Sequence, residues 1–195
     1  MQTVGILTLQ GDYDKHAQVL RKRNVDTRSV RYPDDLLNCD ALIIPGGEST
    51  TMSKLMDHIG IRDEILTFAQ THPVMGTCAG MILMANRGGD SRVKPLGLLD
   101  ITIVRNAYGR QVDSFVEEIE FKTQFGVEVI KGVFIRAPKI KSIGGNVEVL
   151  AELYNEPVFV RQGLHMATSF HPELSNSCAI HDLLISMIWE PVLAE

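Results

Sequence analysis

The chain has 195 residues, 45% of them hydrophobic, and a formal net charge of -5. That length and apolar content suit one domain, residues 1–195, around one substantial core, while the acidic balance and the lack of any Lys/Arg run argue against nucleic acid as a partner. The longest uncharged apolar segment, residues 73–85, contains two glycines and falls short of the ~20 residues that span a bilayer, so no membrane association is expected.

The opening residues carry no basic leader and run directly into a strand pattern, which predicts no secretion signal. Cys39, Cys78 and Cys178 are widely spaced, with neither a disulfide framework nor metal-ligand spacing. An odd count without a leader fits a reducing cytoplasm, and no metal or cofactor is expected.

In chain order, short β-rich runs alternate with amphipathic segments. Val4–Leu9 reads as a strand, residues 14–23 as a helix with Ala17, Val19 and Leu20 on its apolar side, and Thr27–Arg31 as a second strand. The continuous apolar run Ala41–Ile44 is a buried strand stopped by Pro45-Gly46-Gly47, after which Ser49 or Thr50 is placed to cap a helix through His58. Ile61–Gln70 gives a helix, Val74–Met75 a short strand, and Ala79–Asn86 another helix. Beyond Gly88-Gly89, the segments 99–105, 114–121, 132–136, 147–153, 158–162 and 165–170 are strand-like, with turn residues between several that favour antiparallel pairing. Residues 178–189 carry Ile180, Leu183, Leu184, Met187 and Ile188 at helical spacing. The predicted fold is therefore α/β: a three-layer sandwich with a central mixed, mostly parallel sheet between helices, plus antiparallel strands in the C-terminal half.

Cys78 lies in Gly76-Thr77-Cys78-Ala79-Gly80, a glycine-flanked bend between an apolar strand and a helix. A nucleophile on such a bend projects from the end of the sheet, and the flanking glycines remove β-carbons that would crowd it. The N–H groups of the following helix point towards the sulfur, favouring thiolate and offering donors to an oxyanion. His171-Pro172-Glu173 supplies a base and an orienter. Proline biases His171 away from helical geometry, and an extended backbone puts residues i and i+2 on one face. The imidazole can then exchange a proton with Cys78 while Glu173 holds its other nitrogen. For the negative charge that develops on a carbonyl oxygen, the candidate donors are the N–H of Ala79 and the loop at Gly46 and Gly47. That loop lacks the Gly-Lys-Ser/Thr ending of a phosphate cradle. His16, His58, His72, His165 and His181 have no comparable setting and read as structural or solvent-facing.

Three motifs together, residues 76–80, Pro45-Gly46-Gly47-Glu48-Ser49-Thr50-Thr51-Met52 and Ser169-Phe170-His171-Pro172-Glu173-Leu174, resemble the class I (triad) glutamine amidotransferases. Residues 5–11, 105–115 and 132–138 narrow the likeness to the glutaminase subunits of pyridoxal 5'-phosphate synthases. The resemblance implies Cys78 as nucleophile, His171 as base and later acid, and Glu173 as its orienter. It also implies that Gly47, Glu48 and Ser49 line a glutamine site, that Arg105 reaches the substrate, that Ile135 and Arg136 complete the pocket, and that Gln10-Gly11 shape its floor or a partner contact. An arginine suits the α-carboxylate of glutamine, and the choice between Arg105 and Arg136 stays open.

The implied reaction is hydrolysis of L-glutamine to L-glutamate through a cysteinyl thioester, with ammonia passed to a separate, barrel-shaped synthase subunit that makes pyridoxal 5'-phosphate. The alternative from another class keeps the fold but makes Cys78 a redox-sensing or chaperone-like site without glutaminase activity.

Overall fold

The computed structural model describes residues 2–11, 13–104, 114–123 and 126–188. Continuous apolar runs make β1 (Thr3–Leu7), β3 (Ala41–Ile44) and β4 (Val74–Thr77), the last two buried at every residue. Strands dry on both faces need helices above and below, and parallel crossovers supply them. β2 (Asp26–Val30) runs parallel to β1, β1 to β3, β3 to β4, and β4 to β12 (His165–Thr168). β1 and β12 are each two residues shorter at their C-terminal ends than the sequence pattern suggested.

Side-chain alternation along β3 separates two hydrophobic layers. Leu42 and Ile44 face α2 (Ser49–Ile59), α3 (Arg62–Phe68) and α4 (Ala79–Met84), packing with Met52, Met56, Ile65 and Leu83. Ala41 and Ile43 face α1 (Tyr13–Arg21) and α5 (Ala179–Met187), packing with Ala17, Leu20, Ile180 and Leu184. The result is the expected helix–sheet–helix sandwich.

Beyond β12 the same sheet continues antiparallel through β11 (Glu156–Gln162), β10 (Glu148–Leu153), β7 (Ser114–Thr123) and β8 (Gly126–Ile135). β8 begins six residues before the expected start, because its whole length pairs with β7 from Gly126 opposite Thr123 to Ile135 opposite Ser114.

A second, three-stranded sheet holds β5 (Ala85–Arg87), β6 (Leu99–Val104) and β9 (Lys139–Ile143). Neither β5 nor β9 was expected. The helix predicted over Ala79–Asn86 stops at Met84, since the carbonyls of Leu83, Met84 and Ala85 accept from the N–H groups of Leu96, Leu98 and Gly97 rather than from a continuing helix. Among the described residues no helix is long and apolar enough to cross a membrane, and no group of three or more His, Cys, Asp or Glu side chains is placed to hold a metal ion.

The tight seat of α4 on the sheet depends on glycine. A β-carbon on Gly80 would lie 1.9 Å from the Ile44 carbonyl oxygen, and one on Gly76 would lie 2.7 Å from the Gly80 carbonyl carbon. These contacts are backbone, which a rotamer change cannot relieve. Gly80→Ala is therefore expected to cost about 3 kcal/mol or more, or to prevent soluble folding. Gly145→Ala, with nothing within 4 Å of the added carbon, should stay within about 0.5 kcal/mol of the parent. Chemical denaturation of both variants checks the contrast.

Candidate active site

Residues 77 and 168 are paired at the ends of the adjacent parallel strands β4 and β12, so the segments leaving those strands emerge side by side. This is the carboxyl edge of an open α/β sheet, where such folds place their ligands. Cys78 leaves β4 with φ 50° and ψ -103°, in the positive-φ region that a side chain rarely adopts. Its N–H is held by the Thr168 carbonyl at 2.9 Å, and its own carbonyl accepts from Ile82 at 3.3 Å. The bend thus aims the sulfur away from the sheet, with the thiol 3.8 Å from the Ile135 carbonyl oxygen. The helix behind it, α4, spans six residues. Its nearby N–H groups matter more than any long-range dipole.

His171 leaves β12 three residues past its end, and its N–H donates to the Val133 carbonyl at 2.8 Å, which fixes it against β8. Below it, Phe170 packs on Phe134 with ring centroids 5.5 Å apart. His171 stays outside the helical region, at φ -102° and ψ 89°, as the following proline demands. Glu173, however, does not continue an extended chain. Residues Pro172–Leu174 form one turn of 3-10 helix, and the turn brings Glu173 Oε1 to 2.7 Å from His171 Nδ1. The pairing forms by a tighter route than simple i, i+2 alternation.

With Nδ1 engaged by Glu173, the imidazole shares the pocket with Cys78 and interacts with its thiol. Burial pulls the His171 pKa down, but the interaction with Cys78 and the bond and charge of Glu173 outweigh it and raise the value to about 10. The Glu173 carboxyl, almost fully buried, is pushed up by burial, yet the charge of His16 and the bond from His171 hold it below its ordinary value.

Cys78 and His171 open into a pocket of about 410 Å³ lined also by Gln10, Gly11, Gly46, Gly47, Glu48, Ser49, Ala79, Ile82, Ile135, Arg136 and Pro138, with Glu173 buried behind the imidazole. The fold thus gathers Gly46, Gly47, Glu48, Ser49, Ala79, Ile135 and Arg136 around Cys78 and His171. Arg105 lies outside the described residues. Gly46 sits directly against the base, since a β-carbon there would fall 2.4 Å from His171 Cε1. On its other side, a β-carbon on Gly11 would lie 1.7 Å from the Gly46 carbonyl oxygen. Arg136, the residue after β8, turns with φ 44° and stands on the pocket wall. The Ser49 hydroxyl is buried with no hydrogen-bond partner among the described residues.

The cap of α2 differs from expectation. Glu48, not Ser49 or Thr50, is the capping residue: its carboxylate accepts from Thr50 N at 3.1 Å, Thr51 N at 2.7 Å and Thr51 Oγ1 at 2.7 Å. Its long side chain folds back over the first turn, satisfying N–H groups that would otherwise lack partners. Glu48 therefore shapes the pocket with a carboxylate already committed to the helix.

Sequence comparison decides the family. The profile of the SNO glutamine amidotransferase family matches residues 6–190. The chain belongs to that glutamine amidotransferase family. It is similar to two proteins named pyridoxal 5'-phosphate synthase subunit PdxT: one from Thermoplasma volcanium, 46% identical over 190 residues and covering 94% of each chain, and one from Mycolicibacterium vanbaalenii, 45% identical over 191 residues, 95% of this chain and 97% of the other. A crystal structure described as a glutamine amidotransferase superposes with a TM-score of 0.89 at 42% identity, covering 95% of this chain and 98% of that one.

Within this glutamine amidotransferase, His16 and His181, expected from the sequence to be structural or solvent-facing, lie in the interior beside Glu173. Both are buried, and His16 Nε2 lies 3.4 Å from Glu173 Oε2. A signal existed: His16 adjoins Ala17 on the packed side of α1, and His181 precedes Leu184 by three positions on the apolar stripe of α5. Ile82 and Pro138 also join the pocket wall without having been singled out.

Two pH effects follow. Burial is the largest single influence on Glu48 and opposes its ionisation, but the Thr51 hydroxyl and the N–H groups of Thr51 and Thr50 together outweigh it and lower the pKa from 4.5 to about 2. Its stabilisation is then complete above pH 4.5 and lost as the pH falls towards 2. Glu48→Gln should cost about 1 kcal/mol at pH 7 and progressively less in acid, as urea denaturation at several pH values will show. His171 carries the opposite sign: its contribution is complete below the ordinary 6.5 and is lost as the pH rises towards about 10. Its imidazole resonance should accordingly not titrate between pH 6 and 8 in NMR spectra.

Proposed function

We propose that the chain, acting as one domain, is the glutaminase component of a pyridoxal 5'-phosphate synthase, with Cys78 as nucleophile, His171 as acid and base, and Glu173 as orienter. The observation that carries this reading is Cys78 and the Glu173-bound imidazole of His171 sharing one pocket walled by the Gly46–Ser49 loop. A family profile for glutamine amidotransferases and two relatives named as subunits of that synthase support it.

The chemistry follows from the groups present. With the proton held by His171, the Cys78 sulfur attacks the side-chain amide carbon of glutamine and a carbon–sulfur bond forms. The negative charge moves to the amide oxygen, where the N–H of Ala79 and those of Gly46 and Gly47 are the proposed donors. Collapse breaks the carbon–nitrogen bond, and ammonia leaves with the proton from His171. Water then gives a proton to the neutral imidazole as it attacks the thioester, and the carbon–sulfur bond breaks to release glutamate. Glu173 keeps the ring in place through both stages, since its carboxylate holds Nδ1 and leaves Nε2 for the sulfur.

Gly47, Glu48, Ser49, Ile135 and Arg136 would hold the substrate. The unpartnered hydroxyl of Ser49 offers a polar contact, and Arg136 or Arg105 would pair with the α-carboxylate. Ammonia released into neutral water is mostly protonated and no longer nucleophilic. The product therefore needs a direct passage to a synthase subunit docked over the pocket, in a hetero-oligomer. A sensor role for Cys78 would leave the Gly46–Ser49 wall and the His171–Glu173 pair without a task.

Glutamate release from glutamine should be slow for the isolated chain and rise at least about tenfold on adding the synthase subunit. Cys78→Ala should abolish it, by roughly four orders of magnitude or more. A glutamine-analogue electrophile should label Cys78, and label it far more slowly in His171→Ala. Peroxide sensitivity of Cys78 without glutamine turnover would overturn the assignment.

A further inference from the structure

Behind Glu173, on the side away from His171, two more imidazoles extend the buried line. His16 on α1 approaches Glu173 Oε2 to 3.4 Å through Nε2, with both side chains essentially inaccessible to solvent. The same nitrogen is 3.4 Å from the hydroxyl of Thr77, the residue before the nucleophile. On its far side, His16 Nδ1 lies 2.9 Å from Nε2 of His181 on α5. Two helices distant in sequence thus converge on the orienting carboxylate from beneath.

The protons in this line are constrained by chemistry. An acceptor nitrogen facing a carboxylate oxygen at this distance would be repelled, so His16 must carry a hydrogen on Nε2. Burial, and then the charge of His16, lower the pKa of His181 to about 3 against the opposing charge of Glu173, which leaves His181 neutral. One hydrogen therefore lies between the two rings, and in either arrangement Nε2–H of His16 remains directed at Glu173 and Thr77. The groups facing Glu173 are then His171 from its own turn and His16 from α1, with His181 on α5 and the hydroxyl of Thr77 from β4 behind His16.

A carboxylate held through one oxygen is a poor orienter, because rotation about its terminal bond is nearly free. A buried carboxylate with a single partner is also driven towards its neutral form. His16 answers both problems. Its approach is off-axis, and Oε2 has no aligned hydrogen bond among the described residues, so the contact acts mainly through charge and dipole.

We propose that His16 is a positioning residue for the reaction: through the charge and dipole of its Nε2–H side it restrains Glu173 Oε2, so that Oε1 stays on His171, while His181 fixes the tautomer of His16. The inference rests on the glutaminase reading of the same site. Residues that act through the orienter reach the thiol without touching substrate, so removing His16 should weaken the proton pairing of Cys78 with His171 rather than glutamine binding.

The test begins with the full-length chain alone, following the rate of Cys78 alkylation by iodoacetamide against pH, which needs neither glutamine nor the synthase. His16→Leu should move that profile upward by roughly one pH unit. With the synthase added, His16→Leu should lower kcat for glutamate release by about tenfold and change KM by less than about twofold. His16→Gln, which keeps an N–H group near the same place, should lie closer to the parent than His16→Leu does. In a Glu173→Gln background, His16→Leu should add less than about a twofold effect, since the group it acts through is gone. An unchanged alkylation profile in His16→Leu, or a full additional loss in that background, would overturn the proposal. Should His16→Leu fail to fold, nitrogen-15 histidine spectra of the parent chain decide: a hydrogen on His16 Nε2 supports the proposal and a bare Nε2 ends it. A shifted alkylation profile in His16→Leu, in a parent chain that releases no glutamate with the synthase, would remove the glutaminase reading and leave only the coupling of His16 to the thiol.

Discussion

One backbone hydrogen bond, from the N–H of Cys78 to the carbonyl of Thr168 at 2.9 Å, joins the two halves of the site. It prolongs the parallel ladder of β4 and β12 by one rung into the bend, where φ is already positive. A residue held in that region persists only when its surroundings over-determine it, and here the surroundings are the ladder on one side and the glycine-thin seat of α4 on the other. The neighbouring strand then delivers His171 at the same edge. The juxtaposition of Cys78 and His171 is thus a by-product of strand register: a slip between β4 and β12 would separate sulfur and imidazole.

The second constraint is electrostatic. Glu173 is 5% exposed, and a carboxylate so enclosed survives as an anion only with partners on each oxygen. His171 provides one and His16 faces the other. The cost of burying the acid is offset by the same contacts that hold the His171 ring, so local stability and the geometry around Cys78 are coupled. Such coupling is common where function places charge in a dry interior.

The parts that could be read from the sequence share a local cause. Ala41–Ile44 is apolar at every position, which allows only a strand covered on both faces, and Gly76-x-Cys78-x-Gly80 carries its own explanation in the spacing of its glycines. The parts that could not be read arise from contacts made elsewhere in the chain. Ala85–Arg87 looks helical by composition, and becomes a strand because residues 96–98 claim the carbonyls before it. Ser49 and Thr50 are the better capping residues by type, yet the preceding Glu48 reaches over them. His16 and His181 lie on different helices, and no local pattern links either to Glu173. Resemblance to a family supplied the pocket loops, whose roles depend on what they face.

The crowding around Gly46 divides the pocket into two kinds of wall. One side is made of main chain pressed against main chain and against the imidazole, with less than 3 Å available for a β-carbon on Gly11 or Gly46. The other side is made of side chains, Ile82, Ile135 and Pro138, whose bulk can be traded. Any redesign of the shape of this pocket is therefore confined to the aliphatic flank, while the glycine flank leaves no room for a side chain.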